Sequence, residues 1–232
     1  MAETAERSPK TTSIYIASPE GDTGKSTIAL GAMNLLTSTG WTIGVFRPIP
    51  RSTGEQRDYI LELLIEQATA DLDYEECVGV SYEQVHEDPD AAIAEIVSRF
   101  HAVADKCDFV LVLGSDYTDV TTPTELSFNA RIAANLGSSI LLAVKALDRT
   151  PEQVVAVAEQ SMAEIRANHA HTASIIANRC APQQLEAVCE ALKADTGLPV
   201  WVLPEEPVLT APTPTPGLFG IADCRSVVLF QA

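Results

Sequence analysis

The sequence is poor in basic residues, with 15 Lys and Arg against 32 Asp and Glu, and its formal net charge is −17. Such a charge repels phosphate backbones and anionic lipid surfaces, so we expect neither nucleic acid nor a membrane as a partner. No stretch approaches the ~20 apolar residues that a membrane-spanning helix needs, and the N-terminus lacks the apolar segment of a secretory signal. These absences predict a soluble, cytoplasmic protein.

The sequence also lacks the motifs of disulfide bonds and of metal-binding sites. The five cysteines form no Cys-x-x-Cys pair, and their odd number favours reduced thiols over a disulfide framework. His169 and His171 are separated by a single residue, but no cysteine or carboxylate cluster accompanies them. A solvated turn is therefore expected there rather than a metal site.

The chain does contain short β-branched runs that alternate with amphipathic segments of helical length. This alternation is typical of an α/β domain, and we predict a three-layer, doubly wound, mostly parallel sheet of about six strands over residues 13–203. Residues 1–12 are expected to be disordered, and residues 204–232 to form a proline-rich linker and tail. A helix is predicted over 55–70, whereas the acidic stretch from Asp71 to His86 has no regular pattern and predicts no element.

A candidate phosphate-binding loop, SPEGDTGKST (residues 18–27), separates the first predicted strand from the first helix. Such loops bind phosphate because consecutive N–H groups lie at the positive end of the helix dipole, a lysine adds a unit charge, and a hydroxyl ligates magnesium. The strand–loop–helix order therefore predicts nucleotide or phosphate binding. The candidate residues in the loop are Gly21, Thr23, Gly24, Lys25, Ser26 and Thr27.

The loop departs from the general pattern at its beginning. Pro19 stands where the pattern has glycine, and proline has a fixed φ and no N–H to donate. Gly21 is expected to supply the flexibility two residues later. Glu20 and Asp22 place two carboxylates in a loop that should bind a polyanion. Their negative charge disfavours this binding, and Lys25 alone is expected to offset it. The alternative interpretation is a structural turn that only starts a helix.

The ordered set of motifs resembles the dethiobiotin-synthetase-like P-loop domain at the N-terminus of long bacterial phosphate acetyltransferases. The motifs are the loop itself, GVFRPI (44–49), DFVLVLGSDYTDV (108–120), FNARIAANLG (128–137), IIANR (175–179) and LPVWVLPEEP (198–207). The resemblance implies a P-loop NTPase-like fold and a regulatory or assembly domain of a homo-oligomeric enzyme. It also implies that a phosphotransacetylase catalytic domain, which transfers acetyl between acetyl-CoA and phosphate, lies C-terminal to this segment and is absent from this chain.

The resemblance also assigns individual residues. Lys25 and Ser26 match the phosphate and magnesium residues of dethiobiotin synthetases. Arg47 stands where those enzymes keep a substrate-binding lysine, and a guanidinium fork does not reproduce the geometry of an ammonium. Asn178 and Arg179 stand where the synthetases hold adenine. The expected ligand is ATP or another nucleotide with Mg²⁺, or a small anionic effector.

The end of the third predicted strand differs most from the synthetases. The resemblance implies a magnesium-binding glutamate there, whereas this chain has Gly114-Ser115-Asp116, which makes Asp116 the nearest substitute for the carboxylate. ATP-driven ligation is accordingly disfavoured, and a ligand-sensing or assembly domain is preferred. Two alternatives remain: a stand-alone ATP-dependent enzyme of the dethiobiotin synthetase or cobyrinate amidase type, and a partition-type ATPase. The net charge disfavours the second.

Overall fold

A computed structural model describes residues 12–51, 57–115 and 125–206. Within these ranges strands and helices alternate along the chain, as the hydrophobic pattern predicts. The strands are β1 (Thr12–Ala17), β2 (Ile43–Phe46), β3 (Phe109–Leu113), β4 (Ser139–Lys145), β5 (Thr172–Cys180) and β6 (Val200–Pro204). The helices are α1 (Lys25–Thr37), α2 (Tyr59–Gln67), α3 (Tyr74–Cys77), α4 (Tyr82–Glu87), α5 (Pro89–Ala104), α6 (Glu125–Leu136), α7 (Pro151–Ala167) and α8 (Leu185–Thr196).

The six strands form one sheet in the order β2-β3-β1-β4-β5-β6, and every neighbouring pair is parallel. The α/β fold predicted from the sequence is confirmed. Strand β1 lies near the middle of the sheet, where Ile14 is in register with Leu111 of β3 and Ser139 of β4. Central strands are covered on both faces, so they are apolar throughout rather than alternating.

The helices form two layers. The connection from β1 to β2 crosses the sheet in one direction, and the later connections, from β2 to β3 and so on to β6, cross it in the opposite direction. Since such crossovers are right-handed, α1 lies on one face of the sheet and α5, α6, α7 and α8 lie on the other. Helix α1 packs against α2, while α5, α6, α7 and α8 pack against one another in series. None of the helices in the described ranges is both long and apolar enough to span a membrane.

Helix starts follow the capping signals of the sequence. The Asp88 carboxylate accepts hydrogen bonds from the N–H groups of Asp90 and Ala91, with proline at the first helical position of α5. Thr150 and Gln153 have the spacing of a capping box in the sequence and form that box at the start of α7. The sequence also has a capping-box pattern from Thr122 to Glu125, whose first residues lie outside the described residues, as does the start of the helix predicted over 55–70. The described part of that helix is α2, which Asp58 caps.

The expectation of no element between Asp71 and His86 was wrong. Helix α3 begins after Asp73, and α4 begins after Ser81, each with a capping box. The two helices have 4 and 6 residues, too few turns to show a helical period in the hydrophobic pattern. Their caps, rather than a repeating apolar face, are the signal that would have identified them.

Candidate functional site

The candidate phosphate loop leaves the carboxyl end of β1, between β3 and β4, and enters α1. Ligands of open parallel sheets bind at this edge. Gly24 is the N-cap residue of α1 and has φ 78, a left-handed conformation that glycine adopts without steric cost. The N–H groups of the first helical turn therefore begin directly after Gly24, at the positive end of the α1 dipole.

Lys25 is buried, with 4% of its surface exposed, and its ammonium group donates a hydrogen bond to the carbonyl oxygen of Ser115 at the end of β3. The N–H of Ser115 donates to Oδ1 of Asn129 on α6 over 3.1 Å, and the Tyr15 hydroxyl donates to the same oxygen over 2.6 Å. Burial, together with the charge of Glu125, raises the pKa of Tyr15 far above its usual value. The phenol therefore stays a hydrogen-bond donor at any physiological pH.

Asn129 was not identified as a site residue from the sequence, although a signal for it exists. It lies on the buried face of α6 with Leu126, Ala130 and Ala133, and it is fully buried. A polar residue within an apolar helical stripe must find hydrogen-bond partners inside the protein. A Cβ atom at Gly114 would lie 2.7 Å from Asn129 Oδ1, so glycine at this position permits the contact between β3 and α6.

The expectation that Lys25 alone offsets the acidic loop residues was wrong. Arg149, which follows β4, holds Glu20 through two parallel contacts, Nη1 to Oε1 at 2.5 Å and Nη2 to Oε2 at 2.7 Å. Burial opposes ionisation of Glu20, yet the hydrogen bonds and charge of Arg149 outweigh it and hold the pKa of Glu20 below its usual value. One of the two loop carboxylates is thus neutralised by the protein itself.

Arg47 lies at the end of β2 and is 1% exposed. Its Nε atom is 2.8 Å from Oδ2 of Asp58, a carboxylate that is itself 3% exposed. Asp58 also accepts from the N–H groups of Ile60 and Leu61 and so begins α2. The predicted contact of Arg47 with a ligand would have to compete with this buried ion pair.

Asn178 and Arg179 lie at the end of β5, beside the loop. Asn178 Nδ2 donates to the carbonyl oxygen of Thr23 over 2.8 Å. Arg179 donates from Nη1 to the carbonyl oxygen of Asp22 over 2.9 Å, and from Nε and Nη2 to the Glu205 carboxylate. The two side chains predicted to hold adenine therefore contact the loop backbone.

The remaining predicted residues divide by burial. Thr23 is buried, Ser26 is half-buried, and Gly21 and Thr27 are exposed. Asp116, predicted as a metal ligand, lies outside the described residues. Across 12–51, 57–115 and 125–206, no group of three or more His, Cys, Asp or Glu residues could hold a metal ion.

The donor chemistry fits a phosphate group with its metal. The backbone N–H groups at the start of α1 and the Lys25 ammonium are hydrogen-bond donors suited to a phosphate. The Ser26 hydroxyl is an oxygen ligand of the kind that Mg²⁺ takes when phosphates complete its coordination.

A family model described as an AAA domain matches residues 12–213. Phosphate acetyltransferases of Nitratidesulfovibrio vulgaris and Synechocystis are each 26% identical to the chain, over 212 and 208 residues. Each alignment covers 86% of this chain and 30% of the relative, so the chain spans about a third of the length of these curated relatives. The resemblance stated from the motifs is confirmed.

Solved structures with the same fold include nucleotide-bound proteins. Chloroplast FtsY of Physcomitrella patens has a TM-score of 0.57 and 15% identity, covering 86% of this chain and 60% of its own. McdA of Cyanothece in complex with ATP has a TM-score of 0.53 and 14% identity, covering 86% and 85%. MinD of Pyrococcus horikoshii with Mg-ADP has a TM-score of 0.50 and 17% identity, covering 86% and 84%. At these identities the likeness concerns the fold.

Proposed function

The chain belongs to this family of AAA domains, and on that premise we propose that it is the P-loop domain of a phosphate acetyltransferase. In this proposal the domain binds a nucleotide or another small anion and regulates or assembles a homo-oligomeric enzyme, without catalysing acetyl transfer itself. The two phosphate acetyltransferase relatives support the assignment. The observation that carries the binding function is the buried Lys25 ammonium at the start of α1, beside the left-handed Gly24.

The proposed domain comprises residues 13–203, and the segment from 204 onwards links it to the catalytic part. The relatives are about three times as long as the aligned region, which leaves room for a separate phosphotransacetylase domain. That domain would carry the reaction of acetyl-CoA with phosphate to give acetyl phosphate and CoA. The proposed ligand of this chain is ATP or another nucleotide with Mg²⁺, held by the loop residues with Ser26 and Asp116 on the metal.

Thermal melting with and without Mg-ATP tests the binding function. Saturation at about 100 times the dissociation constant adds roughly 2.7 kcal/mol, which should raise the midpoint by about 5 to 10 °C for a chain of this size. Lys25→Ala should abolish the shift. Lys106→Ala is the matched control, because Lys106 is a half-exposed lysine paired with Glu76 at the surface. The absence of any shift with millimolar nucleotide or inorganic pyrophosphate would contradict the proposal.

An acetyl-transfer assay tests the assignment to a non-catalytic domain. The chain should form no acetyl phosphate from acetyl-CoA and phosphate, and robust turnover by this chain alone would overturn the assignment. The stand-alone ATP-dependent enzyme keeps Lys25 and Ser26 as support, but it needs ligand access to Arg47, whose guanidinium is paired with Asp58. Product formation from a diamino acid, bicarbonate and Mg-ATP would favour that alternative.

A further inference from the structure

Two consecutive side chains at the end of β5 hold two consecutive carbonyl groups of the phosphate loop. Asn178 Nδ2 lies 2.8 Å from the Thr23 oxygen, and Arg179 Nη1 lies 2.9 Å from the Asp22 oxygen. The described residues have no cis peptide bond. In a trans peptide unit, which is planar, the C=O of one residue and the N–H of the next point in opposite directions. Holding the two oxygens therefore orients the N–H groups of Thr23 and Gly24 away from β5.

We infer that Asn178 and Arg179 are positioning residues of the phosphate loop, which pre-orient the N–H groups of Thr23 and Gly24 toward a bound phosphate. The inference rests on the proposed function and deepens it: the ligand is recognised at these positions through its phosphate part. Preorganised donors bind an anion more tightly because the cost of ordering the loop is met during folding.

The orientation of Arg179 is constrained at both ends. Its Nε and Nη2 atoms donate to the two oxygens of Glu205, over 2.9 and 3.2 Å, while Nη1 reaches the loop. The planar guanidinium cannot rotate without breaking this pair. The Arg179 backbone has φ 60, a left-handed conformation that is costly for a residue with a Cβ atom. Backbone strain of this kind is found where surrounding contacts hold it in place, often at binding sites.

Asn178 explains why glycine is needed at position 24. A Cβ atom at Gly24 would lie 2.4 Å from Asn178 Nδ2, and Gly24 also has φ 78. The amide can reach the Thr23 oxygen because position 24 carries no side chain. The loop begins with Pro19 instead of the glycine of the general pattern, and contacts from β5 thus supply the conformational control that the loop sequence lacks.

The test compares two probes, Mg-ATP and inorganic tripolyphosphate with Mg²⁺, by titration calorimetry. Asn178→Ala should weaken binding of both by about fivefold or more, the equivalent of one lost hydrogen bond, with the ratio of the two affinities unchanged. Arg179→Lys, which keeps the charge but loses the fork, should act in the same direction. Asn135→Ala is the matched control, because Asn135 Nδ2 also donates to a backbone oxygen over 2.8 Å, on the exposed surface of α6.

The outcomes separate loop positioning from base recognition. If Asn178→Ala weakens ATP but leaves tripolyphosphate unchanged, the side chain contacts the base, and the inference is overturned. Equal affinities of wild type and both β5 variants for both probes would also overturn it.

A measurement without ligand keeps the inference testable if the proposed function fails. The N–H order parameters of Thr23 and Gly24, measured by NMR relaxation on the free chain, should be lower in Asn178→Ala than in Asn135→Ala, because the loop carbonyl group has lost its partner. If wild type binds neither probe, the proposed function is contradicted and the order parameters alone decide: lower values in Asn178→Ala support the positioning role, and unchanged values overturn it. Melting curves of each variant confirm that it is folded at the temperature of measurement.

Discussion

Replacing Asp58 by alanine should strongly destabilise the domain, because one carboxylate serves four groups. Its Oδ2 atom lies 2.8 Å from Arg47 Nε and accepts the Arg51 N–H over 2.6 Å. Its Oδ1 atom accepts the N–H groups of Ile60 and Leu61 over 3.1 and 3.2 Å and so caps α2. Both charged side chains are at least 97% buried, so water cannot replace the lost partner.

The magnitude follows from two separate losses. Removing one member of a buried ion pair costs about 3 to 5 kcal/mol, because the other charge is left buried. Removing the N-cap adds about 1 kcal/mol. The sum of about 4 to 6 kcal/mol is a large part of the 5 to 15 kcal/mol typical of a domain. At about 2 to 4 °C per kcal/mol, the melting midpoint should fall by about 8 to 24 °C.

Urea and thermal unfolding followed by circular dichroism measure this effect. Arg47→Met combined with Asp58→Asn removes both charges and keeps a capping oxygen, so the double variant should be more stable than Asp58→Ala. Glu95→Ala is the control: it removes an exposed i,i+4 pair with Arg99 and should cost less than about 1 kcal/mol. A midpoint change below about 4 °C for Asp58→Ala would refute the reasoning.

Three further outcomes are expected. Gly24→Ala should lower the free energy of unfolding by at least about 2 kcal/mol and weaken anion binding, because the new Cβ would lie 2.4 Å from Asn178 Nδ2 and the backbone has φ 78. Gly21→Ala is the control: a Cβ there would meet nothing within 4 Å, so the melting midpoint should not change. The pKa of Glu20 is lowered in the folded chain, so its stabilising contribution is present above the unfolded pKa and is lost as the pH falls through the folded pKa. Glu20→Gln should therefore make the free energy of unfolding fall less steeply at acid pH. An unchanged acid side of the stability–pH profile would contradict the pairing of Glu20 with Arg149. Burial raises the pKa values of Cys77 and Cys107 to about 12 and about 11, so a thiol reagent at pH 8 should modify them in urea but not in the native chain, and rapid native labelling would show that these sites open.

Much of the fold could be predicted because its signals are local. Apolar runs of strand length, the Asp88 cap and the Thr150 box each depend on residues within a few positions of one another, and the structure has all three. The two short helices between Asp71 and His86 were missed because hydrophobic periodicity needs several turns to become visible.

The candidate site could be predicted in part. The loop residues were identified because a phosphate-binding motif is contiguous in the chain, whereas their partners are not. Arg149 contacts Glu20 across 129 positions, and Asn178 contacts Thr23 across 155. Nothing in the spacing of such residues indicates which acidic group or carbonyl each will meet.

By itself the sequence determined the alternation of strands with the longer helices and the position of a glycine-lysine-serine loop at a helix start. These features depend on sterics and hydrogen bonding between residues that are near neighbours in the chain. Tertiary structure alone decided that β1 lies between β3 and β4, and therefore which side chains surround the loop. Charges and hydrogen-bond donors act through space, so the roles of Arg149 and Arg179 arise from the strand order rather than from their neighbours in the chain.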